Sequence, residues 1–171
     1  MSEVLVGERV RLRPGRPEDL DDLETIFSTP EVSPWWHGYD RARIERKVIQ
    51  AEDEDETVYV IDVDGQVAGI IQSHEEQEPD YRSASIDIAV APTWHGTGVA
   101  LDAIRTLARH LLEDHGHHRL TIDPATANER AIAAYAKAGF RPVGVLRQHE
   151  RAADGAWRDG LLMDLVKGEL R

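Results

Sequence analysis

The sequence predicts a single α/β domain of the α+β kind, a mixed sheet of about seven strands flanked by about four helices. Three observations carry this. Apolar runs of strand length are interleaved with segments of helical period. Two Asp-Gly pairs, Asp64-Gly65 and Asp154-Gly155, lie between β-rich runs, the strongest short hairpin signal. The elements follow as β-α-α-β-β-β-α-β-α-β-β with no repeat, linker or low-complexity segment, which places one domain, 1–171, around one sheet.

Taken in order, "RVRLRP" (Arg9 to Pro14) alternates as a first strand. "RPEDLDDLETIFS" carries Leu20, Leu23, Ile26 and Phe27 at helical spacing, with Pro17 suited to a first turn. "DRARIERKVIQAEDEDE" reads as a second helix running into an acidic end. "TVYVIDV" and "QVAGIIQS" form a hairpin through Asp64-Gly65, and "YRSASIDIAVAP" is a strand stopped by Pro92. Helical periodicity then runs from Gly98 through Leu101, Ile104, Leu107 and Leu111 to about His115. "HRLTID" is a strand, and "NERAIAAYAKAG" is a helix with Gly139 as its left-handed cap. "FRPVGVLRQHE" and "AWRDGLLMDLVKG" make a last hairpin.

Composition narrows the function. At 171 residues, 41% hydrophobic and 30% charged, the chain suits one soluble, well-filled core. No apolar run reaches the roughly 20 residues that span a bilayer, and "MSEVLVGERVRLRP" is no secretory signal. The absence of cysteine excludes disulfides and thiolate metal sites and makes the cytoplasm the expected location. With 20 basic against 32 acidic residues, net −12, the surface repels nucleic acid and anionic membranes. Acids lining a cleft would attract cations; otherwise they are solvated helix faces.

The stretch "VAPTWHGTGVALDAI" opens a helix behind two glycines, Gly96 and Gly98, although glycine inside a helix costs about 1 kcal/mol relative to alanine. A strand, a glycine turn and a helix N-terminus together suit an anion, because unpaired N–H groups and the helix dipole both favour it. The alternative is a tight turn and nothing more. Neither a Walker loop nor a dinucleotide fingerprint is present.

About thirty residues on stands "NERAIAAYAKAGF". The two motifs together resemble the GNAT superfamily of acyl-CoA N-acyltransferases, whose pyrophosphate loop reads [QR]-x-x-G-x-[GA] and whose next helix reads N-x-x-A-x-x-x-Y-x-K-x-G-F. Gly98 and Ala100 fill the small positions of the loop; Asn128, Ala131, Tyr135, Lys137, Gly139 and Phe140 match the helix. His95 stands where the family usually has Gln or Arg. The resemblance extends over nearly the whole chain and implies a mostly antiparallel sheet with a splayed cleft and acetyl-CoA as cosubstrate, without a metal. It also implies that the amides of His95, Gly96, Thr97, Gly98, Val99 and Ala100 cradle the coenzyme pyrophosphate. Ile88, Ala89 and Val90 would pair with the pantetheine arm, and Asn128 and Ala131 would flank it.

Acetyl transfer to an amine needs a neutral amine, a polarised thioester carbonyl and a protonated leaving thiolate. Tyr135 occupies the family's general-acid position, the alternative being a packing tyrosine. Asp80, Asp87 and Asp123 are the acids that could take or orient the amine's proton. Asp87 lies inside the apolar run "ASIDIAV", where a carboxylate is rarely placed for packing alone. Asp123 ends a strand, where turn capping is the competing role.

"SPWWHG", "GIIQSHEE", "SIDIAV" and "TIDPATAN" are similar to the aminoglycoside 6'-N-acetyltransferase branch. That similarity implies an acceptor site lined by Trp35, Trp36, Gln72, Asp80, Asp87 and Asp123, and an aminoglycoside 6'-amine as acceptor. Trp35 and Trp36 would stack on a sugar or staple a helix end. "HEEQEPD" (His74 to Asp80) would add four carboxylates near the cleft. The expected partner is thus a cationic small-molecule amine, on a monomer or homodimer. Related enzymes that acylate hydroxylysine of siderophore precursors offer a second acceptor class, and a non-catalytic acyl-CoA sensor offers a different class of function. The histidines of "HGHH" (His115, His117, His118) are expected to be solvated, without a metal.

Overall fold

The computed structural model describes residues 3–171. Its elements are β1 (Leu5–Val6), β2 (Arg11–Arg13), α1 (Leu20–Phe27), α2 (Arg41–Ile44), β3 (Glu56–Val63), β4 (Gln66–Glu76), β5 (Ser83–Val90), α3 (Val99–Glu113), β6 (Arg119–Ile122), α4 (Glu129–Ala138), β7 (Arg141–Arg151) and β8 (Trp157–Val166). They build one eight-stranded sheet in the order β1-β2-β3-β4-β5-β6-β8-β7. The β5–β6 pair alone is parallel. The expected α/β sheet is therefore present with one strand more than the sequence predicted. Two residues, one buried and one exposed, are too few to show a period.

Helices cover both faces, and β4 shows it most directly. Ile70 packs with α1 and α2 residues such as Leu23, Phe27 and Ile44. Its neighbour Ile71 packs on the other face with Ile104, Leu107 and Leu111 of α3. Both isoleucines are fully buried, which is why this strand reads as a continuous apolar run rather than an alternating one. Asp64 (φ +52) and Gly65 (φ +83) both adopt the left-handed conformation between β3 and β4, as a two-residue type I′ hairpin requires.

Two buried polar clamps fix the first strands. Arg13 grips Asp19 through Nη1 at 2.8 Å and Nη2 at 2.9 Å, and Asp62 through Nε at 2.9 Å. Asp102 of α3 accepts the backbone N–H groups of Glu8, Arg9 and Val10, which ties the β1–β2 turn to that helix.

The second helix is shorter than expected. It runs through α2 into a π-helical stretch, Glu45–Ile49, and residues 51–55 lie outside any helix or strand, with Ala51 at φ +48. Carboxylates at a helix C-terminus oppose its dipole and repel one another, so the acidic run leaves the helix instead of extending it.

Among the described residues no helix is long and apolar enough to cross a membrane. The feature that positions the site is the β5–β6 junction. Only Ala84–Leu120 and Ser85–Thr121 pair; beyond them the strands separate and a cleft opens through the sheet.

Candidate active site

The glycine turn forms one end of this cleft. After Val90 the chain makes a 3₁₀ turn, Pro92–Trp94, and enters α3 through Gly96 (φ +73) and Gly98 (φ +88). Space is open beside Gly96, and beside Gly98 the nearest atom is Arg9 Nη1 at 3.7 Å. Backbone conformation, not crowding within the chain, therefore requires glycine here. Gly98 has no side chain to cap α3; the Val99 N–H is met by Thr97 Oγ1 and the Thr97 N–H by the Trp94 carbonyl, both at a long 3.4 Å, contacts that an anion can replace.

His95 does not replace the expected cation. Its Nε2 lies 2.8 Å from the carbonyl oxygen of Val90, which braces the turn against the end of β5. Positive charge comes from elsewhere: the Arg9 guanidinium bonds the Thr97 carbonyl, and Arg130 lines the neighbouring cavity.

From the turn a cavity of about 100 Å³ runs inward between β5 and α4, bounded by Ile88, Ala89, Val90, His95, Ala100 and Ala131. Trp35, Trp36, Ile88, Asn128 and Ala131 also line a second space of about 230 Å³, so the two join into one channel. Asn128 is the N-cap of α4, its Oδ1 accepting the Ala131 N–H at 3.3 Å. Its position in the channel wall is thus set by the helix it starts.

The inner space is acidic. Asp87, Asp123, Tyr135, His149 and Glu150 line it. Asp87 is surrounded by protein yet open to water through the cleft mouth. Desolvation, with the nearby charge of Asp123, pushes its pKa up to about 6, against the lowering effect of a hydrogen bond from Gln72. Gln72 is the cross-strand partner of Asp87, and Tyr39 reaches its Oε1 at 3.5 Å. Tyr135 on α4 is buried against Phe140. Burial, reinforced by Asp87 and Asp123, drives its pKa well above the ordinary tyrosine value, so its hydroxyl keeps its proton.

The tryptophans are already engaged. Trp36 packs edge-on against Phe27 and Tyr39, and the Arg158 guanidinium lies over Trp35 at 5.1 Å. Arg158 also bonds the Pro34 carbonyl and Glu150, which fastens the Trp35 loop to the last hairpin.

The structure brings Trp35, Trp36, Asp87, Asp123 and Tyr135 together, with Gln72 beside them. It does not bring Asp80, which is exposed in the turn between β4 and β5 and lines no part of the channel. The other "HEEQEPD" acids are absent from the lining as well. Strand alternation explains Glu75: it points to the face opposite Gln72 and Asp87. There it meets His117 Nε2 at 2.6 Å and His115 Nδ1 at 3.0 Å. The expectation of a solvated "HGHH" run is corrected for His117, which is fully buried, while His115 and His118 are exposed.

Two lining residues, His149 and Glu150, have no counterpart in the sequence reading. His149 Nε2 lies 2.7 Å from Asp123 Oδ2. The β7–β8 register slips between Leu146 and Glu150, where Gln148 takes φ +49 and donates its N–H to Asp159. This bulge turns His149 over Gly160, where an added Cβ would meet the ring at 2.9 Å. The missing side chain of Gly160 makes the room.

Comparison with known proteins agrees with this geometry. Residues 9–141 match the acetyltransferase (GNAT) domain family. The chain is 29% identical over 164 residues to a spermidine N(1)-acetyltransferase of Escherichia coli, covering 90% of this chain and 84% of that protein. It is 27% identical over 158 residues to an aminoglycoside N(6')-acetyltransferase type 1 of Klebsiella pneumoniae, covering 82% and 78%. It superposes on Mycobacterium smegmatis RimJ in complex with CoA-disulfide with a TM-score of 0.84 at 26% identity, covering 98% of this chain and 89% of that one. A glycine turn at a helix N-terminus, a channel and a buried tyrosine near a carboxylate thus stand on the sheet of a known family, and the chain belongs to the GNAT acetyltransferases, acetyl-CoA-dependent N-acetyltransferases.

Proposed function

We propose that the protein transfers the acetyl group of acetyl-CoA to a primary amine of a polycationic small molecule. One observation carries the choice of acceptor: three carboxylates, Asp87, Asp123 and Glu150, line the inner end of the channel, and the charges of Asp123, Glu150 and the more distant Glu56 all bear on Asp87. A site of that charge favours a substrate with several positive centres. The relatives' acceptors, spermidine and aminoglycosides, share this character.

In this proposal the pyrophosphate rests on the amides of residues 95–100, with Arg9 and Arg130 beside it. The pantetheine arm adds as a strand along Ile88, Ala89 and Val90, an edge that β6 leaves unpaired. Asn128 and Ala131 flank the arm, which brings the thioester to Asp87 and Tyr135. Asp87 accepts the ammonium proton, and the neutral amine attacks the carbonyl carbon. The C–S bond of the tetrahedral adduct breaks, Tyr135 gives its proton to the departing thiolate, and the excess proton on the attacking nitrogen leaves to restore the tyrosine hydroxyl, giving the neutral amide.

Between the two acceptor types, the tryptophans favour a linear polyamine over an aminoglycoside 6'-amine. Trp35 is covered on one side by Arg158 and Trp36 is held by Phe27 and Tyr39, so a sugar finds little free ring to stack on.

The test is an acetyl-CoA consumption assay with spermidine, an aminoglycoside and N-hydroxylysine at low and high salt. The expected result is fastest turnover of a polycation, with KM rising as salt rises. A neutral or singly charged acceptor preferred at every ionic strength overturns the acceptor assignment. Tight coenzyme binding without turnover of any amine overturns catalysis and leaves a sensor.

A further inference from the structure

We propose that Glu75, His115 and His117 form a binding site for one divalent transition metal ion of the zinc class. The cluster lies on the sheet face opposite Asp87, away from the acetyl-transfer channel. Its three ligand atoms, one from each residue, are within 4.8 Å of one another. Two imidazoles and one carboxylate are a normal donor set for zinc, with water as fourth ligand. The burial gradient suits that arrangement: the side chains of His117, Glu75 and His115 are 0%, 17% and 39% exposed. One side of the cluster therefore opens to water while the others are closed.

The ligands are held in place by the chain itself. Gly116, between the two histidines, adopts φ +70 and lets both rings turn towards one carboxylate. Arg82 bonds the carbonyls of His115 at 2.6 Å and Gly116 at 3.4 Å, and the His117 N–H bonds the Leu111 carbonyl at 3.0 Å. The buried His117 ring makes its polar contact through Nε2, 2.6 Å from Glu75 Oε2 at the cluster. A preorganised loop of this kind loses little freedom when an ion binds. The ion would join β4 to the α3–β6 turn and so hold the strand that pairs with β5, which lines the cleft.

A second group, Glu3, His110 and Asp114, lies next to it, with the His110 ring 4.4 Å from that of His115. It is the natural control. The experiment is calorimetric titration of untagged, chelator-stripped protein with zinc chloride, repeated with cobalt chloride and visible spectroscopy. The expected result is one ion per chain, visible absorption typical of tetrahedral cobalt, and a Tm higher by about 5–10 °C at a hundredfold excess over Kd. Glu75→Gln and His115→Ala should each weaken binding at least tenfold, while His110→Ala leaves it unchanged. His115 is partly exposed, so its removal leaves the fold intact, which the Tm of the metal-free variant verifies. Kd above 100 μM, binding that survives Glu75→Gln and His115→Ala, or binding lost only in His110→Ala overturns the proposal. Failure here leaves the acetyltransferase assignment untouched, because none of these residues lines the channel.

Discussion

Asp87 and Asp123 occupy equivalent places on two diverging strands. The last residues joined across β5 and β6 are Ser85 and Thr121, and each aspartate is the second residue beyond that pair. Strand alternation puts both side chains on the same face as the final pair, across a gap that no hydrogen bond closes. The charge of Asp123 helps push the Asp87 pKa up to about 6. In the proposed mechanism the splay that admits the coenzyme thus also sets up the base.

The first prediction follows from that value. With acetyl-CoA saturating and the acceptor limiting, kcat/KM should rise with pH through about 6 as Asp87 ionises, a limb separate from deprotonation of the amine. Asp87→Asn should abolish this limb and lower kcat/KM by about 10²-fold or more, with acetyl-CoA affinity unchanged. A pH-rate profile retaining the limb in the variant would assign it to another group.

The same residue should trade stability for activity. A carboxyl whose folded pKa lies above its unfolded value supports the fold most at low pH and loses that support as pH rises through the folded pKa. For Asp87 the window runs from about 4 to about 6. The full shift corresponds to roughly 3 kcal/mol, and the open cleft mouth reduces it to about 1 kcal/mol. Asp87→Asn should therefore melt about 2–4 °C higher than the wild type at pH 8 and show no such gain below pH 4. A variant that melts lower at pH 8 would show that Asp87 is held by compensating contacts.

At the other end of the channel, Gly98→Val should weaken acetyl-CoA binding at least tenfold, about 1.4 kcal/mol. Gly98 has φ +88, a conformation that costs a β-branched residue of order 1–2 kcal/mol. The new side chain would also stand beside the amides that receive the pyrophosphate. Calorimetry on the folded variant decides it: unchanged affinity would mean that the coenzyme is held elsewhere.

Tyr135→Phe should lower kcat by about 10²-fold and leave coenzyme affinity nearly intact. The ring is buried, so the phenylalanine keeps its packing and only the proton donor is lost. A wild-type kcat in the variant would assign protonation of the thiolate to water.

Local signals in the sequence were enough for the glycine turn, the α4 motif and Asp87 in its apolar strand, because each rests on a few adjacent residues. What depends on distant pairing was not legible. His149 reaches Asp123 only through a register slip in β7 and the absence of a side chain at Gly160. Glu75 was assigned to the cleft by proximity in sequence, whereas strand alternation sends it to His117. Asp80 lies past the end of β4, in the turn to β5, and remains exposed. The acidic run after α2 looked helical by composition, yet the helix dipole disfavours it there.

The last prediction separates the roles of Asp123 and His149. If Asp123 acts mainly through its charge, Asp123→Asn removes the repulsion on Asp87 and moves the acid limb of the pH-rate profile below 6. It should also raise KM for a polycation and flatten the salt dependence of that KM, since one attracting charge is gone. His149 holds the Asp123 carboxylate at 2.7 Å, so its expected role is orientation. His149→Gln keeps a donor for Asp123 and should retain most of kcat/KM. His149→Ala leaves the carboxylate free to turn and should lose about tenfold, chiefly in acceptor KM, with the limb near 6 preserved. Equal losses in the Gln and Ala variants, with the limb displaced in both, would instead place His149 in the proton path itself.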